Sequence, residues 1–93
     1  MKRELVWYKS FVRAFKKVIK RDPRLEEKIY STLQQLIDNP FHPSLDTHKL
    51  HGRLRGYWAC SVEYDYRLVF SIERESSTCE LIMLFDIGTH DEV

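Results

Sequence analysis

The chain has 93 residues, 43% of them hydrophobic, and carries a formal net charge of +1. A chain of this length builds one hydrophobic core, so we expect a single domain over residues 1–93. It contains no apolar run of about 18 residues and no apolar segment behind its charged start. These features exclude a membrane-spanning helix and a secretory signal, and they predict a cytoplasmic protein.

The charge is distributed unevenly along the chain. Residues 1–28 contain ten Lys and Arg residues against four acidic ones, whereas residues 73–93 contain six acidic residues and a single Arg. A basic face of this kind favours a polyanionic partner through the release of bound counterions. The alternative is an ordinary helix whose basic face is solvated.

The first half of the chain predicts one strand followed by two helices. Residues 5–8 form a short apolar and aromatic run that is typical of a strand. A first helix is predicted from an N-cap at Ser10 to Arg21, because apolar residues recur there at helical spacing between lysines and arginines. A second helix is predicted from its N-cap, Asp22, to Asn39. The two consecutive helices predict a helical hairpin.

The second half changes to the alternation of a sheet. Residues 58–63, 67–72 and 79–87 are rich in β-branched and aromatic residues and are joined by short connections, so they predict an antiparallel meander. The order is therefore βααβββ. This is an α+β fold, in which the N-terminal strand and the helical hairpin pack on one face of a small, mainly antiparallel sheet.

Neither cysteine stands in a metal-binding or redox motif. Cys60 and Cys79 lie in predicted strands, and buried free thiols are expected because a cytosolic cysteine behaves as a small apolar residue. His48 and His51 are three residues apart and offer a possible metal pair, but Gly52 follows directly and no third ligand lies nearby. We therefore expect neither a metal site nor a cofactor.

Titratable side chains are concentrated in three short stretches of the second half: residues 48–53, 63–67 and 90–92. Imidazole is the side chain whose ordinary pKa places proton transfer near neutral pH. The three stretches therefore predict acid and base catalysis on an anionic substrate. His90 follows the last strand directly after a glycine and a threonine, at the rim of the sheet, where a substrate can reach it.

The middle stretch leaves several alternatives open. Arg67 interrupts an apolar strand and is expected to point to the open side of the sheet, toward an anion, unless it forms an ion pair with Glu63 or Asp65. Asp65 either orients a histidine or serves the turn between two strands. Tyr64 and Tyr66 either stack on bases or pack within the sheet.

Three ordered motifs carry a family resemblance. They are HKLHGRLRGYW at residues 48–58, DYRLVF at residues 65–70 and IGTHDEV at residues 87–93. Together with the βααβββ order, they resemble the RelE/ParE superfamily of toxin–antitoxin toxins, and within it the YafQ-like mRNA interferases. The resemblance implies an endoribonuclease that cuts mRNA, typically on the ribosome, and that a cognate antitoxin holds inactive.

The resemblance also implies roles for individual residues. His48, Asp65 and His90 match catalytic positions, and Arg67 matches the arginine that binds the scissile phosphate. Ser61 stands where YafQ-like members can carry a further histidine. The basic residues expected to bind the substrate are Lys16, Lys17, Lys49, His51, Arg53 and Arg55.

The implied reaction needs no metal. A base removes the proton of the ribose 2′-OH, this oxygen attacks the adjacent phosphate, the arginine stabilises the negative charge, and an acid protonates the leaving 5′-oxygen. Two other interpretations remain: a ParE-like toxin that inhibits DNA gyrase without nuclease chemistry, and a non-catalytic module that binds RNA or a protein partner. The set of titratable residues favours RNA cleavage over both.

Overall fold

Two α-helices and a five-stranded sheet are formed by residues 1–63 and 65–93, which a computed structural model of the protein describes. In chain order they are β1 (Lys2–Trp7), α1 (Lys9–Arg21), α2 (Leu25–Asp38), β2 (His48–Lys49), β3 (Trp58–Glu63), β4 (Tyr66–Arg74) and β5 (Cys79–Thr89). Short 3-10 helices at Pro43–Leu45 and Gly52–Leu54 stand on either side of β2. No helix in the described ranges is long and apolar enough to cross a lipid bilayer.

The strands are arranged in the order β1-β5-β4-β3-β2. β1 runs parallel to β5, and the other neighbouring strands are antiparallel. Both helices pack on one face of this sheet, where their apolar stripes meet alternate residues of the strands. The predicted α+β fold, with a helical hairpin on a mainly antiparallel sheet, is confirmed.

The hydrophobic core lies between the helices and the sheet. The helices contribute residues at helical spacing: Phe11, Phe15, Val18, Leu25, Ile29, Leu33 and Leu36. The strands contribute residues of one face: Cys60, Leu68, Phe70, Ile82, Leu84 and Ile87. Because successive strand residues point to opposite faces, the side chains between them point away from the helices. We call that other side the open face.

Both predicted helix starts were wrong in detail. α1 begins before Ser10, whose hydroxyl donates a hydrogen bond to the carbonyl oxygen of Phe85 at 2.7 Å instead of capping the helix. Regular α2 begins only at Leu25. The carboxylate of Asp22 nevertheless accepts the backbone N–H of Arg24 at 3.2 Å, so it satisfies one donor of the turn that precedes the helix.

The strand β2 was not predicted, because two residues are too few to show a period. His48 pairs with Ala59 and Lys49 with Trp58, so β2 extends the sheet beyond β3. Asp65 lies in a turn, as predicted. The predicted roles of Tyr64 in that turn and in base stacking lie outside the described residues.

The two cysteines differ in burial. Both thiols are free, but only Cys60 is fully buried, whereas Cys79 is half-buried at the start of β5. Burial raises the pKa of the Cys60 thiol to about 12, so this thiol stays protonated and unreactive. The expectation of buried thiols is therefore confirmed for Cys60 and is wrong for Cys79.

Candidate functional site on the open face of the sheet

Strand register arranges the open face in rows, because directly paired residues of antiparallel strands point to the same side. One row crosses four strands: His48, Ala59, Val69 and Asp86. The neighbouring row crosses three strands: Ser61, Arg67 and Gly88. The middle of the face thus carries uncharged residues and one arginine, and titratable groups stand at both ends of the first row.

Arg67 is half-buried near the centre of this face. Its Nη2 donates a hydrogen bond to the main-chain oxygen of Val93 at 2.6 Å, and its Nε is buried with no hydrogen-bond partner among the described residues. The alternative ion pair with Glu63 or Asp65 is absent from the described part of the chain, where Glu63 instead lies 3.9 Å from Lys28. A buried N–H without an acceptor costs free energy, so the site favours an anion that would accept from it.

Residues 89–93, which we call the final turn, fold back over Gly88 on the same face. Oε1 of Glu92 accepts the amide N–H of Thr89 at 3.0 Å, and its Oε2 accepts from Arg21 at 3.3 Å. A Cβ at Gly88 would lie 3.0 Å from Glu92 Oε1, so this close approach favours glycine. The Thr89 amide first, and Arg21 next, lower the pKa of Glu92 below its ordinary value.

His48 is exposed at the edge of the sheet. Its Nδ1 lies 2.9 Å from the carbonyl oxygen of Asp46. Because a carbonyl oxygen only accepts, the neutral imidazole carries its proton on Nδ1 and keeps the lone pair on Nε2. Nε2 is therefore the atom that can accept a proton from a substrate.

Asp65 and His90 adjoin the ends of two neighbouring strands, at the other end of the open face. Asp65 directly precedes the first residue of β4, His90 directly follows the last residue of β5, and these two terminal residues are paired. Both side chains are exposed. Asp65 lies two residues from Arg67, and His90 lies two residues from Gly88, the partner of Arg67. Two residues along a strand span about 7 Å, and neighbouring strands lie about 4.8 Å apart. Arg67 consequently lies between His48 on one side and the Asp65 and His90 pair on the other.

The predicted basic contacts around the β2–β3 connection separate into two groups, because Lys49, His51 and Arg55 line a groove of about 640 Å³, whereas Arg53 lines another one beside the final turn. His51, Arg53 and Arg55 are exposed on the connection itself. Lys49 alternates with the neighbouring histidine and points to the other side of β2, where its Nζ lies 5.6 Å from the ring centroid of Trp58. The structure therefore does not bring Lys49 to the open face, although the sequence predicted it as a substrate contact.

The two predicted lysines of α1 are also separated. Lys17 lines a small groove of about 190 Å³ beside the final turn, together with Glu92. Lys16 lines a different groove, of about 370 Å³, next to Trp7. Only Lys17 is near the open face.

A groove of about 520 Å³ opens on this face between the β2–β3 connection and the final turn. Val69 and Leu54 line its apolar part. Tyr57 and Phe85 line it with perpendicular rings whose centroids are 4.7 Å apart. The groove therefore combines an aromatic wall with a surface that is open to solvent.

Asp86 supplies a carboxylate to the same groove. Its Oδ1 accepts the amide N–H of Ile87 at 2.9 Å. Partial burial raises the pKa of Asp86 above its ordinary value, and the nearby charge of Glu92 adds to this, while the hydrogen bond from Ile87 opposes it. Asp86 was not predicted as a site residue, although it interrupts an apolar strand just as Arg67 does.

One cluster of metal-ligand side chains lies away from the open face, where β1 begins beside β5. Glu4, Glu75 and Cys79 bring one ligand atom each to within 4.8 Å of one another. Lys2 already neutralises Glu4, with its Nζ 3.1 Å from Oε1. Burial first, and the carboxylate of Glu75 next, raise the pKa of the Cys79 thiol, which favours the protonated form over a metal-binding thiolate.

The sequence has one family match. Residues 3–93 match the family model described as a bacterial toxin of type II toxin-antitoxin systems, YafQ. Among curated proteins, no significant match is found.

Several solved structures are similar to this chain. A YoeB/ParE toxin from Agrobacterium tumefaciens is 24% identical, with a TM-score of 0.77 over 97% of this chain and 99% of that one. YafQ from E. coli strain BL21(DE3) is 22% identical, with a TM-score of 0.72 over 98% and 97% of the two chains. A chain of the E. coli DinJ-YafQ toxin-antitoxin complex is 22% identical, with a TM-score of 0.71 over 100% and 98%. At these identities the likeness shows a shared fold.

Proposed function

The chain belongs to the YafQ family of bacterial type II toxins, as its motifs predict. On this basis we propose that it is a metal-independent endoribonuclease that cleaves mRNA. The observation that supports this most strongly is the setting of Arg67. Its guanidinium is half-buried at the centre of the open face, and its Nε has no acceptor among residues 1–63 and 65–93. Side chains able to transfer protons flank it on both sides.

This arrangement suits an attack in which RNA supplies its own nucleophile. The attacking 2′-oxygen and the leaving 5′-oxygen stand on opposite sides of the phosphorus in an in-line displacement, so the base and the acid are needed on opposite sides of the phosphate. His48 accepts the 2′-OH proton through Nε2, and His90, oriented by Asp65, protonates the leaving oxygen. Arg67 stabilises the charge on the remaining phosphate oxygens.

The final turn occupies part of this site. The main-chain oxygen of Val93 accepts the hydrogen bond from Arg67 Nη2 that a phosphate oxygen would accept in the complex. Substrate binding therefore exchanges one acceptor for another at Nη2 and supplies an acceptor for Nε. A phosphate can accept two parallel charge-assisted hydrogen bonds from one guanidinium, which favours the exchange.

We also propose two macromolecular partners. A cognate antitoxin holds the protein inactive; the similar fold of the E. coli YafQ that forms a complex with DinJ supports this partner. The ribosome presents the mRNA, and the surplus of Lys and Arg in residues 1–28 gives the protein a basic surface suited to such a polyanionic partner.

Induction of the protein in bacteria without an antitoxin tests the function directly. We expect growth arrest through loss of translation, with transcripts cut to ends that carry a 2′,3′-cyclic phosphate and a 5′-hydroxyl. In vitro, cleavage should persist in excess EDTA, because no step uses a metal. The control is the triple variant His48→Ala, Arg67→Ala, His90→Ala, which should fold and leave RNA intact.

Three results would contradict the proposal. Growth arrest with intact transcripts and DNA damage would identify gyrase inhibition instead. Loss of cleavage in EDTA that zinc restores would show a metal-dependent reaction. Cleavage at the wild-type rate by the folded triple variant would show that the site lies on other residues.

A further inference from the structure

We propose that the groove between Tyr57 and Asp86 is a subsite for one nucleobase of the RNA strand, and that it selects bases with an amino group over uracil. The inference rests on the proposed ribonuclease function, because it places the base beside the phosphate bound by Arg67. None of the four proposed catalytic side chains lines this groove. It is therefore available to a part of the substrate that does not react.

The distance between the groove and Arg67 matches one nucleotide. Asp86 is paired with Val69, which lines the groove. Arg67 lies two residues before Val69 on β4, in the neighbouring row of the open face. Two residues along a strand span about 7 Å, which is also the span of a nucleotide from its phosphate to its base. An RNA chain whose phosphate binds Arg67 can thus place the attached base in the groove.

Contacts outside the groove fix the position of Phe85, which forms part of the aromatic wall. Phe85 stacks on Tyr8 with ring centroids 4.5 Å apart, and the two ring planes are 16° from parallel. The carbonyl oxygen of Phe85 also accepts the hydroxyl of Ser10. Tyr57 stands perpendicular to Phe85 and offers its ring to a stacked base, whichever base it is. Stacking gives affinity here but little selectivity.

Selectivity comes from the carboxylate of Asp86. Its Oδ1 is engaged by the amide of Ile87, whereas its Oδ2 has no hydrogen-bond partner within the described ranges. An ionised carboxylate only accepts hydrogen bonds, so it pairs with the amino groups of guanine, adenine or cytosine. Uracil offers a single N–H between two carbonyl oxygens, and those oxygens would face the negative charge.

Binding of uncleavable RNA tests the subsite. The probes are short 2′-O-methyl oligouridylates that carry A, C, G or U at one central position, with affinity measured by fluorescence anisotropy. For the wild-type protein we expect the A, C and G strands to bind roughly tenfold more tightly than the all-U strand. Asp86→Asn should remove this preference, because the amide can also donate to the uracil carbonyls.

Glu92→Gln is the matched control. Glu92 lines the same groove, but its oxygens already accept from Thr89 and Arg21. This variant removes the same charge and should keep the preference for amino-bearing bases. Loss of the preference in this variant would overturn the assignment to Asp86, because it would show that any negative charge in the groove causes the preference.

Further outcomes separate the subsite from the function. Equal binding of all four strands by the wild-type protein, no binding of any strand, or an unchanged preference in folded Asp86→Asn would overturn the subsite, even if RNA is cleaved. Selective binding that depends on Asp86, without any RNA cleavage by the wild-type protein, would support the subsite and overturn the ribonuclease function.

Discussion

The two faces of the sheet are made by the same strands, yet they carry side chains of very different size. Toward the helices, β4 and β5 present large residues that are completely buried, such as Phe70 and Leu84. The open face carries smaller residues at several neighbouring positions, namely Ala59, Ser61 and Gly88, although Ala59 and Val69 are buried there too. The open space on this face is the groove of about 520 Å³, and charged residues such as Arg53, Asp86 and Glu92 line it.

This contrast assigns different tasks to neighbouring residues of one strand. A bulky apolar side chain contributes free energy by removing its surface from water and filling space. A charged side chain on the open face contributes little to folding but is available to a substrate. We therefore expect substitutions on the helix-covered face to change stability, and substitutions on the open face to change activity.

Phe70→Ala should give the largest effect on stability. The side chain is fully buried, so its truncation should lower the free energy of unfolding by about 3–5 kcal/mol. Denaturant unfolding measures the loss. Val69→Ala, at the adjacent position on the open face, also truncates a buried side chain but removes less apolar volume, so it should cost clearly less. An equal loss from both variants would show that the open face is packed at least as tightly around Val69 as the core is around Phe70.

Arg67→Ala and His90→Ala should instead reduce activity. Each should lower RNA cleavage by roughly 10²–10³-fold, the usual scale for losing a charge-stabilising contact or a general acid. The free energy of unfolding should change little in both variants. Arg67→Ala also removes a buried N–H that lacks an acceptor, and this removal offsets part of the lost packing.

Kinetic assays with defined RNA measure this loss, and unchanged affinity for the antitoxin is the control for folding. Arg67→Lys tests the geometry of the guanidinium, because lysine keeps the charge but loses the forked donors. Full activity of Arg67→Lys would show that charge alone is sufficient at this position.

The two carboxylates of the groove should respond to pH in opposite ways. The pKa of Asp86 is raised in the folded protein, so its ionisation destabilises the fold as pH rises through the raised value. The pKa of Glu92 is lowered, so its contribution is present above its ordinary value and is lost as pH falls through the lowered one.

Denaturant unfolding from acidic to neutral pH measures both effects. Relative to the wild type, Asp86→Asn should gain stability as pH rises, whereas Glu92→Gln should lose it. Both differences should vanish in acid, where the native carboxyl groups are protonated. Shifts of the same sign in the two variants would contradict the assigned pKa directions.

Lys17→Ala should give the smallest effect, a few-fold loss of RNA affinity. Lys17 lies beside the final turn, so a phosphate contact there should reduce the slope of log affinity against log salt by about 0.7. Lys16→Ala is the matched control on the same helix, and it should leave the slope nearly unchanged. A larger effect from Lys16→Ala than from Lys17→Ala would show that the RNA binds along the other side of α1.

The sequence by itself determined the elements and part of the site. The apolar spacing of the helices and the alternation of the long strands are local patterns, and they predicted the α+β order correctly. The cost of burying a guanidinium without a partner also predicted that Arg67 points away from the helices. The exact helix starts and the two-residue β2 were missed, since such short segments have no period.

Only the tertiary structure decided which distant residues meet. β4 and β5 shift register where Val69 pairs with Asp86 and Phe70 pairs with Leu84, so Phe85 is an extra residue in β5. This bulge keeps Leu84 in the core and brings Asp86 to the open face, and the fold of the final turn brings Val93 to Arg67. Sequence periodicity could not predict these contacts, because they depend on how separate strands are paired.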